Sequence, residues 1–214
     1  PHDPKYGKEC HPNCNCGRFV GIGNSVFMVY VTKEDGSFAE LPNRNVDFGG
    51  GLERIAAASN GNGDMFLIDS MQLIIRELAA GSGKNYGDEE YLASFRIVAD
   101  HLRAAVFLLG DGVLPSNTDR GYVLRRLIRR AVRHMDKLGV KEGTVGRIVD
   151  RVIDSYKEQY PELSVSHSGI LSGILEEEKQ FRKTLSQGMK KFEKTIKTSH
   201  SSGPFKQTLV STDF

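Results

Sequence analysis

Apolar residues change their spacing partway along the chain, and that change divides it. From Gly17 to Val31 the sequence is rich in Val, Phe, Ile and Tyr, and Glu34-Asp35-Gly36-Ser37 then supplies a turn before a second extended run from Phe38 to Phe48. Two extended runs around a short polar turn predict a β-hairpin. From Gly51 the period becomes helical, with Leu52, Ile55 and Ala56 opening a helix. Beyond the polar loop Ser59-Asn60-Gly61-Asn62-Gly63 no later segment alternates like the first two. A helix is expected over Phe66 to Ala80, ended by Gly81-Ser82-Gly83. Apolar positions then recur every three or four residues in Leu92, Phe95, Val98, Leu102, Val106 and Leu109, and again in Leu124, Leu127, Ile128, Ala131, Met135 and Leu138. Such a spacing lines one face of a helix. Val145 to Tyr156, between Gly143 and Pro161, forms another amphipathic stretch, and Phe181, Leu185, Met189, Phe192 and Ile196 mark a last one. The expected class is α+β: a small antiparallel sheet over residues 1–60, then a mainly helical domain over 61–214. There is no internal repeat.

Composition narrows the function classes only a little. A chain of 214 residues is long enough to bury a core. Lys and Arg number 29 against 27 Asp and Glu, so no field of one sign covers the whole molecule. Any polyanion site has to come from local clustering. No apolar run approaches the roughly 20 residues that cross a bilayer, and no signal-like leader is present. A soluble, cytoplasmic protein without a membrane partner is expected. The chain starts at Pro1 and ends in the polar stretch Ser199 to Phe214, which reads as a piece of a longer protein. All three cysteines lie in Cys10-His11-Pro12-Asn13-Cys14-Asn15-Cys16, too close together to form a disulfide framework. With His2 or His11 they make a possible zinc set, but the paired C-x-x-C knuckles of a strong zinc signal are missing. A reduced, metal-free loop is the reading taken, and zinc is its alternative.

Two segments carry candidate chemistry. In Asp47-Phe48-Gly49-Gly50-Gly51-Leu52-Glu53-Arg54 three glycines join a strand end to a helix start. Glycines admit a ligand to the backbone, a helix N-terminus favours anions, and Arg54 one turn inside can pair with phosphate. The bland reading is a tight turn with a surface arginine. In the second segment, Gly121 to His134, arginine pairs interrupt an apolar stripe. On a helix Arg125, Arg129 and Arg133 form one row and Arg126, Arg130 and His134 the next, with no acid among them. This strip suits an RNA backbone unless acids from elsewhere neutralise it. The preceding loop, Gly110 to Arg120, is dense in short polar residues; Ser116 and Asp119 read as cap residues, and Asn117 is left between turn residue and base reader.

Taken together, Gly17 to Tyr30, Val46 to Ile55, Ile97 to His134 and Glu176 to Glu193 resemble the alanyl-tRNA synthetase family in order and spacing, over most of residues 8–197. The joining of a Pro-Ser-Asn loop to an Arg-rich helix is the most specific part. Gly49 to Arg54 is similar to motif 3 of the class II synthetases. The resemblance implies a parent enzyme that activates alanine with ATP, using Mg²⁺, and transfers it to the 3′ end of alanine tRNA. It implies that residues 1–60 are the C-terminal part of the aminoacylation domain and 61–214 an acceptor-stem recognition domain. Asn24, Val26, Asp47 and Gly49 would surround alanine, with Asp47 on its ammonium. Gly51 and Arg54 would serve ATP, Arg54 as the catalytic group. Asn117 and Glu193 would recognise the G·U pair of the acceptor stem, and Arg125, Arg126, Arg129, Arg130 and Arg133 would hold its phosphates.

The chain departs from the family pattern where an acid precedes Ile-Trp-Asn or Ile-Gly-Asn: here the segment is Gly21-Ile22-Gly23-Asn24. Metal and ATP coordination thereby lose a carboxylate. Motifs 1 and 2, the editing domain and the C-terminal oligomerisation region are expected elsewhere in the parent, so this piece is expected to be inactive alone. The rival reading is a non-catalytic RNA-binding module derived from a synthetase. A small zinc-dependent interaction protein is the third.

Overall fold

The computed structural model describes residues 3–141 and 143–200, the side chains of 197–200 excepted. His2 and the polar stretch beyond His200 lie outside the described residues. The chain divides into two compact units, Pro1–Gln72 and Leu73–Phe214.

The first unit begins with a 3₁₀ turn, Pro4–Tyr6, started by the Asp3 carboxylate accepting from Lys5 N at 3.0 Å. Irregular chain follows as far as Ile22. Strand β1 (Gly23–Thr32) pairs antiparallel with β2 (Phe38–Gly50), so the hairpin expected from the sequence is present but opens six residues later than Gly17. Its turn is closed by Lys33 N to Ser37 O at 2.8 Å and by the Asp35 carboxylate, which accepts from Ser37 N and Oγ. Those two bonds hold the Asp35 carboxyl below its usual range. Gly36, at φ +80, supplies the left-handed position the turn needs. Pairing is irregular between Met28 and Tyr30, whose partners Asn45 and Glu40 flank Pro42. A proline there is expected to interrupt the ladder, because it has no N–H to donate. Helix α1 (Leu52–Ser59) starts directly after β2. Most hairpin side chains are exposed, Phe27, Phe48 and Val46 among them. Helix α2 (Asp69–Ser82) runs across the division between the units.

The second unit is helical, as the apolar spacing predicts. It contains α3 (Glu89–Gly110), α4 (Asp119–Leu138), α5 (Thr144–Tyr156), the short α6 (Glu162–Val165) and α7 (His167–His200). Phe95, Val98, Leu102 and Val106 of α3 are fully buried, as are Leu124, Ile128 and Leu138 of α4. These are stripe positions of the sequence pattern, and α3 against α4 is the main helix pair. Gly139, left-handed at φ +69, ends α4. Two ion pairs tie α2 to α5: Glu77 accepts from Arg147 Nε at 3.2 Å and from Arg151 Nε at 2.9 Å. Arg151, and then Arg147, hold the Glu77 carboxyl below its usual range.

Helix α7 differs from the expectation at both ends. It starts at His167, well before Phe181, because Ile170 and Ile174 are buried there and carry the helix in spite of Gly169 and Gly173. Its later apolar stripe is not covered by the described residues: Leu185, Met189, Phe192 and Ile196 are all exposed.

Candidate functional sites

The hairpin register brings one candidate set together. Asn24 is opposite Gly49, and Val26 is opposite Asp47. Residues directly opposite, and residues two apart on one strand, share a face of a sheet. Asn24, Val26, Asp47 and Gly49 therefore lie on one face, with Ser25 and Phe48 on the other. Phe48 lies over glycine on both strands: a Cβ on Gly23 would come within 2.7 Å of its ring and one on Gly50 within 2.9 Å. By contrast, a Cβ on Gly49 would meet nothing within 4 Å, so that side of the strand is open. Asp47 is exposed, and one carboxylate oxygen accepts from Phe48 N at 2.8 Å.

Where β2 gives way to α1, the chain folds back on the segment before β1. Gly51 N donates to Ile22 O at 2.9 Å, and Arg54 Nη1 donates to Gly21 O at 2.9 Å. Gly51 is the N-cap of α1 and has no capping side chain. Val20, Gly21, Ile22, Arg54 and Met65 line a cavity of about 360 Å³. Arg54 is thus anchored through one N–H beside a hollow large enough for a small anionic group. Asn24, Val26, Asp47 and Gly49 do not line this cavity.

Upstream, Cys10, Cys14 and Cys16 converge, with their three Sγ atoms all within 4.8 Å of one another. Among the described residues no histidine or carboxylate joins them, His11 included. The Cys10 thiol is pushed up from its ordinary value by burial and by its contact with Cys16.

The second set lies on α4 and the loop before it. The N-cap is Thr118, which makes no side-chain cap bond, so Ser116 and Asp119 are not the caps they were expected to be. Ser116 Oγ instead donates to Thr118 O at 2.8 Å and accepts from Thr118 N, while Ser116 N donates to Gly121 O at 3.1 Å. Asp119 opens the helix at φ +49, a left-handed conformation that Asp tolerates better than most residues. Asn117 is held by its side chain: its Oδ1 accepts from Arg125 Nη1. One carbonyl lone pair and the amide N–H groups remain for a ligand.

The arginine strip separates into two kinds. Glu177, reaching over from α7 and buried, accepts from Arg129 Nε at 2.6 Å and lies 3.4 Å from Arg125 Nε. One acid from another helix therefore engages Arg125 and Arg129 and offsets part of their charge. Arg129 also stacks on Phe181, its guanidinium carbon 5.4 Å from the ring centroid. Arg126, Arg130, Arg133 and Lys137 have no carboxylate partner among the described residues, and with His101 and His134 they line a groove of about 720 Å³. Arg126 lies over the ring of Tyr122 at 5.7 Å. His134 Nδ1 is 2.9 Å from Ser94 Oγ, and burial together with Lys137, Arg130 and His101 keeps its pKa below the usual histidine value. Glu193 is exposed on α7.

Sequence reasoning missed Glu177. The signal was an acid at an apolar-stripe position, three residues after Ile174 and four before Phe181.

Comparison with known proteins agrees in one direction. The family described as class II (A) tRNA synthetases matches residues 2–212. Alanine–tRNA ligase of Thermotoga petrophila is 45% identical over 191 residues, covering 89% of this chain and 22% of the relative. The Treponema denticola alanine–tRNA ligase is 49% identical over 140 residues, 64% of this chain and 23% of the relative. That of Parvibaculum lavamentivorans is 42% identical over 197 residues, 92% and 22% respectively. The chain thus spans about a fifth of the length of these relatives. No helix among the described residues is long and apolar enough to cross a membrane.

Proposed function

Because the chain belongs to the class II (A) tRNA synthetases, we propose that it is the part of an alanine–tRNA ligase that joins the end of the aminoacylation domain, residues 1–60, to an acceptor-stem recognition domain, residues 61–214. The alanine carboxylate attacks the α-phosphate of ATP and pyrophosphate leaves, giving alanyl-adenylate; a hydroxyl at the 3′ end of alanine tRNA then attacks the alanyl carbonyl, and AMP leaves. The observation that carries the amino-acid half is the register that sets Asn24, Val26, Asp47 and Gly49 on one face of the hairpin. A carboxylate suits the alanine ammonium, and Val26 and the open side of Gly49 suit a methyl-sized side chain. Gly51 and Arg54 serve ATP; a guanidinium held by one N–H keeps others for phosphate, where charge develops in the transition state.

ATP is a substrate that carries Mg²⁺ with it. Gly21 offers a metal no side chain, and its carbonyl already accepts from Arg54, so these residues do not provide a carboxylate site there. The remaining domains of the parent cover the exposed hairpin, since a two-stranded hairpin is marginal in water.

In the helical unit the outer cations Arg126, Arg130 and Arg133 hold stem phosphates. Arg125 and Arg129, engaged by Glu177, act on the RNA mainly by fixing the strip and Asn117. Asn117 and Glu193 recognise the G·U pair. A non-catalytic RNA-binding module remains the second reading, favoured by the missing side chain at Gly21. Asp47→Asn in the full-length protein separates the two. Pyrophosphate exchange should show a large rise in the apparent constant for alanine and little change for ATP. Equal changes in both, or no activity in the wild type, would remove the amino-acid site.

A further inference from the structure

We propose that Glu177 is a positioning residue for the acceptor stem: it withholds Arg125 and Arg129 from phosphate and, through Arg125, orients the Asn117 amide. The proposal rests on the reading of Asn117 given above and names the acid that makes that reading selective.

Geometry is the first argument. Glu177 is only 7% exposed on α7. Its Oε1 accepts from Arg129 Nε at 2.6 Å, while Oε2 stands 3.4 Å from Arg125 Nε. Arg125 Nε is buried and makes no hydrogen bond among the described residues, so the Glu177 charge is what faces it. The other side of the same guanidinium, Nη1, donates to Asn117 Oδ1. A run of three side chains thus leads from α7 through α4 to the loop before α4. A guanidinium only donates, so the Asn117 carbonyl faces Arg125 and the NH₂ group is left to meet an acceptor on the RNA. Without a fixed Arg125 the amide is free to present either end.

Energetics is the second. A carboxylate at this depth is costly to dehydrate, and a buried ion pair often stabilises no more than apolar side chains of similar volume. Ile170 and Ile174 are buried on the preceding turns of the same helix face. A leucine at position 177 would continue that stripe. Stability alone gives little reason for an acid there, whereas fixing two guanidiniums does.

Charge is the third. Arg129 lines the groove with Arg126, Arg130 and Arg133, where its released charge would add a phosphate contact. Glu177 and the Phe181 ring, 5.4 Å from the guanidinium carbon, hold it against α7 instead. Phosphate contacts carry no sequence information. Two arginines held off phosphate lower the affinity for every stem alike, while the fixed amide keeps the difference between stems.

The test is Glu177→Gln in the full chain, titrated across salt against acceptor-stem duplexes carrying G·U or G·C, beside wild type and Asn117→Ala, with a melting curve for each. Glutamine keeps the shape and removes the charge. The variant should bind the G·C stem more tightly than wild type does. Its slope of log K against log salt should steepen by about 0.9 for each arginine that turns to a phosphate, if RNA behaves like B-DNA. The preference for G·U should fall about five-fold. An unchanged slope or an unchanged preference, beside an Asn117→Ala chain that has lost the preference, would overturn the role of Glu177 and leave the reading of Asn117 standing. Weaker binding to both stems, the mark of a loosened fold, would overturn it as well. A preference that survives Asn117→Ala would sink both. If Glu177→Gln does not fold, Arg125→Met decides, because it keeps the Glu177–Arg129 pair and breaks the link to Asn117. The preference should again fall about five-fold, and a preference equal to that of wild type would overturn the proposal.

Discussion

Gly121→Ala is the substitution whose sign the structure fixes most clearly against helix propensity. Within a helix, Ala is favoured over Gly by roughly 1 kcal/mol. Gly121 stands in the first turn of α4 with no positive φ to forbid a side chain, so propensity alone predicts a gain. Packing predicts the reverse. A Cβ there would press on Ser116 Oγ and on the Leu114 carbonyl oxygen, and would stand 2.9 Å from Ser116 Cβ. The hydroxyl can rotate away only by giving up its bond to Thr118 O, worth about 1 kcal/mol. The Leu114 carbonyl is backbone, so relieving that clash means moving the loop that carries Asn117. Overpacking of this kind costs about 1–3 kcal/mol. After the helix gain is subtracted, a net loss of about 1–3 kcal/mol remains. Gly188→Ala on α7 is the control: a Cβ there meets nothing within 4 Å, and the substitution should be neutral or stabilise by up to about 1 kcal/mol. Urea unfolding of both variants beside the wild type, with unchanged slopes, measures the difference. If Gly121→Ala is as stable as Gly188→Ala, the close packing of the loop against α4 is wrong.

Two further outcomes follow from the groove on α4. Arg126→Ala with Arg130→Ala should flatten the dependence of log K on log salt for an acceptor-stem duplex by about 0.9 for each phosphate that the protein no longer neutralises, if RNA behaves like B-DNA; an unchanged slope would remove these arginines from the RNA-binding surface. His134 has a lowered pKa because of burial and its cationic neighbours, so folding keeps it neutral, and stability should fall as pH drops through the unfolded histidine value. RNA phosphates would raise that pKa, so binding should take up protons and tighten across the same window, and His134→Gln should reduce the pH dependence of both; an unchanged profile in the variant would remove His134 as a contributor.

Much of this was legible in the sequence because burial imposes a period on it. The stripes of α3, α4 and α5 were readable since their apolar positions are the buried ones. The hairpin was readable from its turn, but the start of β1 was not: Gly17 to Ile22 has strand-like residues, yet the ladder ends at Gly23 opposite Gly50, because the partner chain turns into α1 at Leu52. The start of α7 was hidden by Gly169 and Gly173, whose low propensity is outweighed by burial of Ile170 and Ile174. Its distal stripe misleads for the opposite reason, a helical period whose side chains Leu185, Met189, Phe192 and Ile196 stay exposed among the described residues. The arginine rows were visible as a strip. That Glu177 engages Arg125 and Arg129 was not, because the pairing with Arg129 joins residues 48 positions apart. Asn117 shows the same limit, since local sequence could not decide between turn and ligand, and its bond to Arg125 depends on where α4 begins.

The central claim is that the helical unit reads RNA through Asn117, with the surrounding arginines positioning the duplex. Phosphate contacts set register, whereas base-edge bonds carry sequence information. The most direct measurement is a titration of wild type and Asn117→Ala against acceptor-stem duplexes carrying G·U or G·C at one salt concentration, with a melting curve for each protein. Wild type should prefer G·U, and the variant should lose on the order of 1–3 kcal/mol of that discrimination, with binding to the G·C stem and the melting curve nearly unchanged. A preference for G·U that survives the substitution, or equal weakening toward both stems together with a lower melting temperature, would contradict the claim and leave Asn117 as a residue that only ties the loop to Arg125.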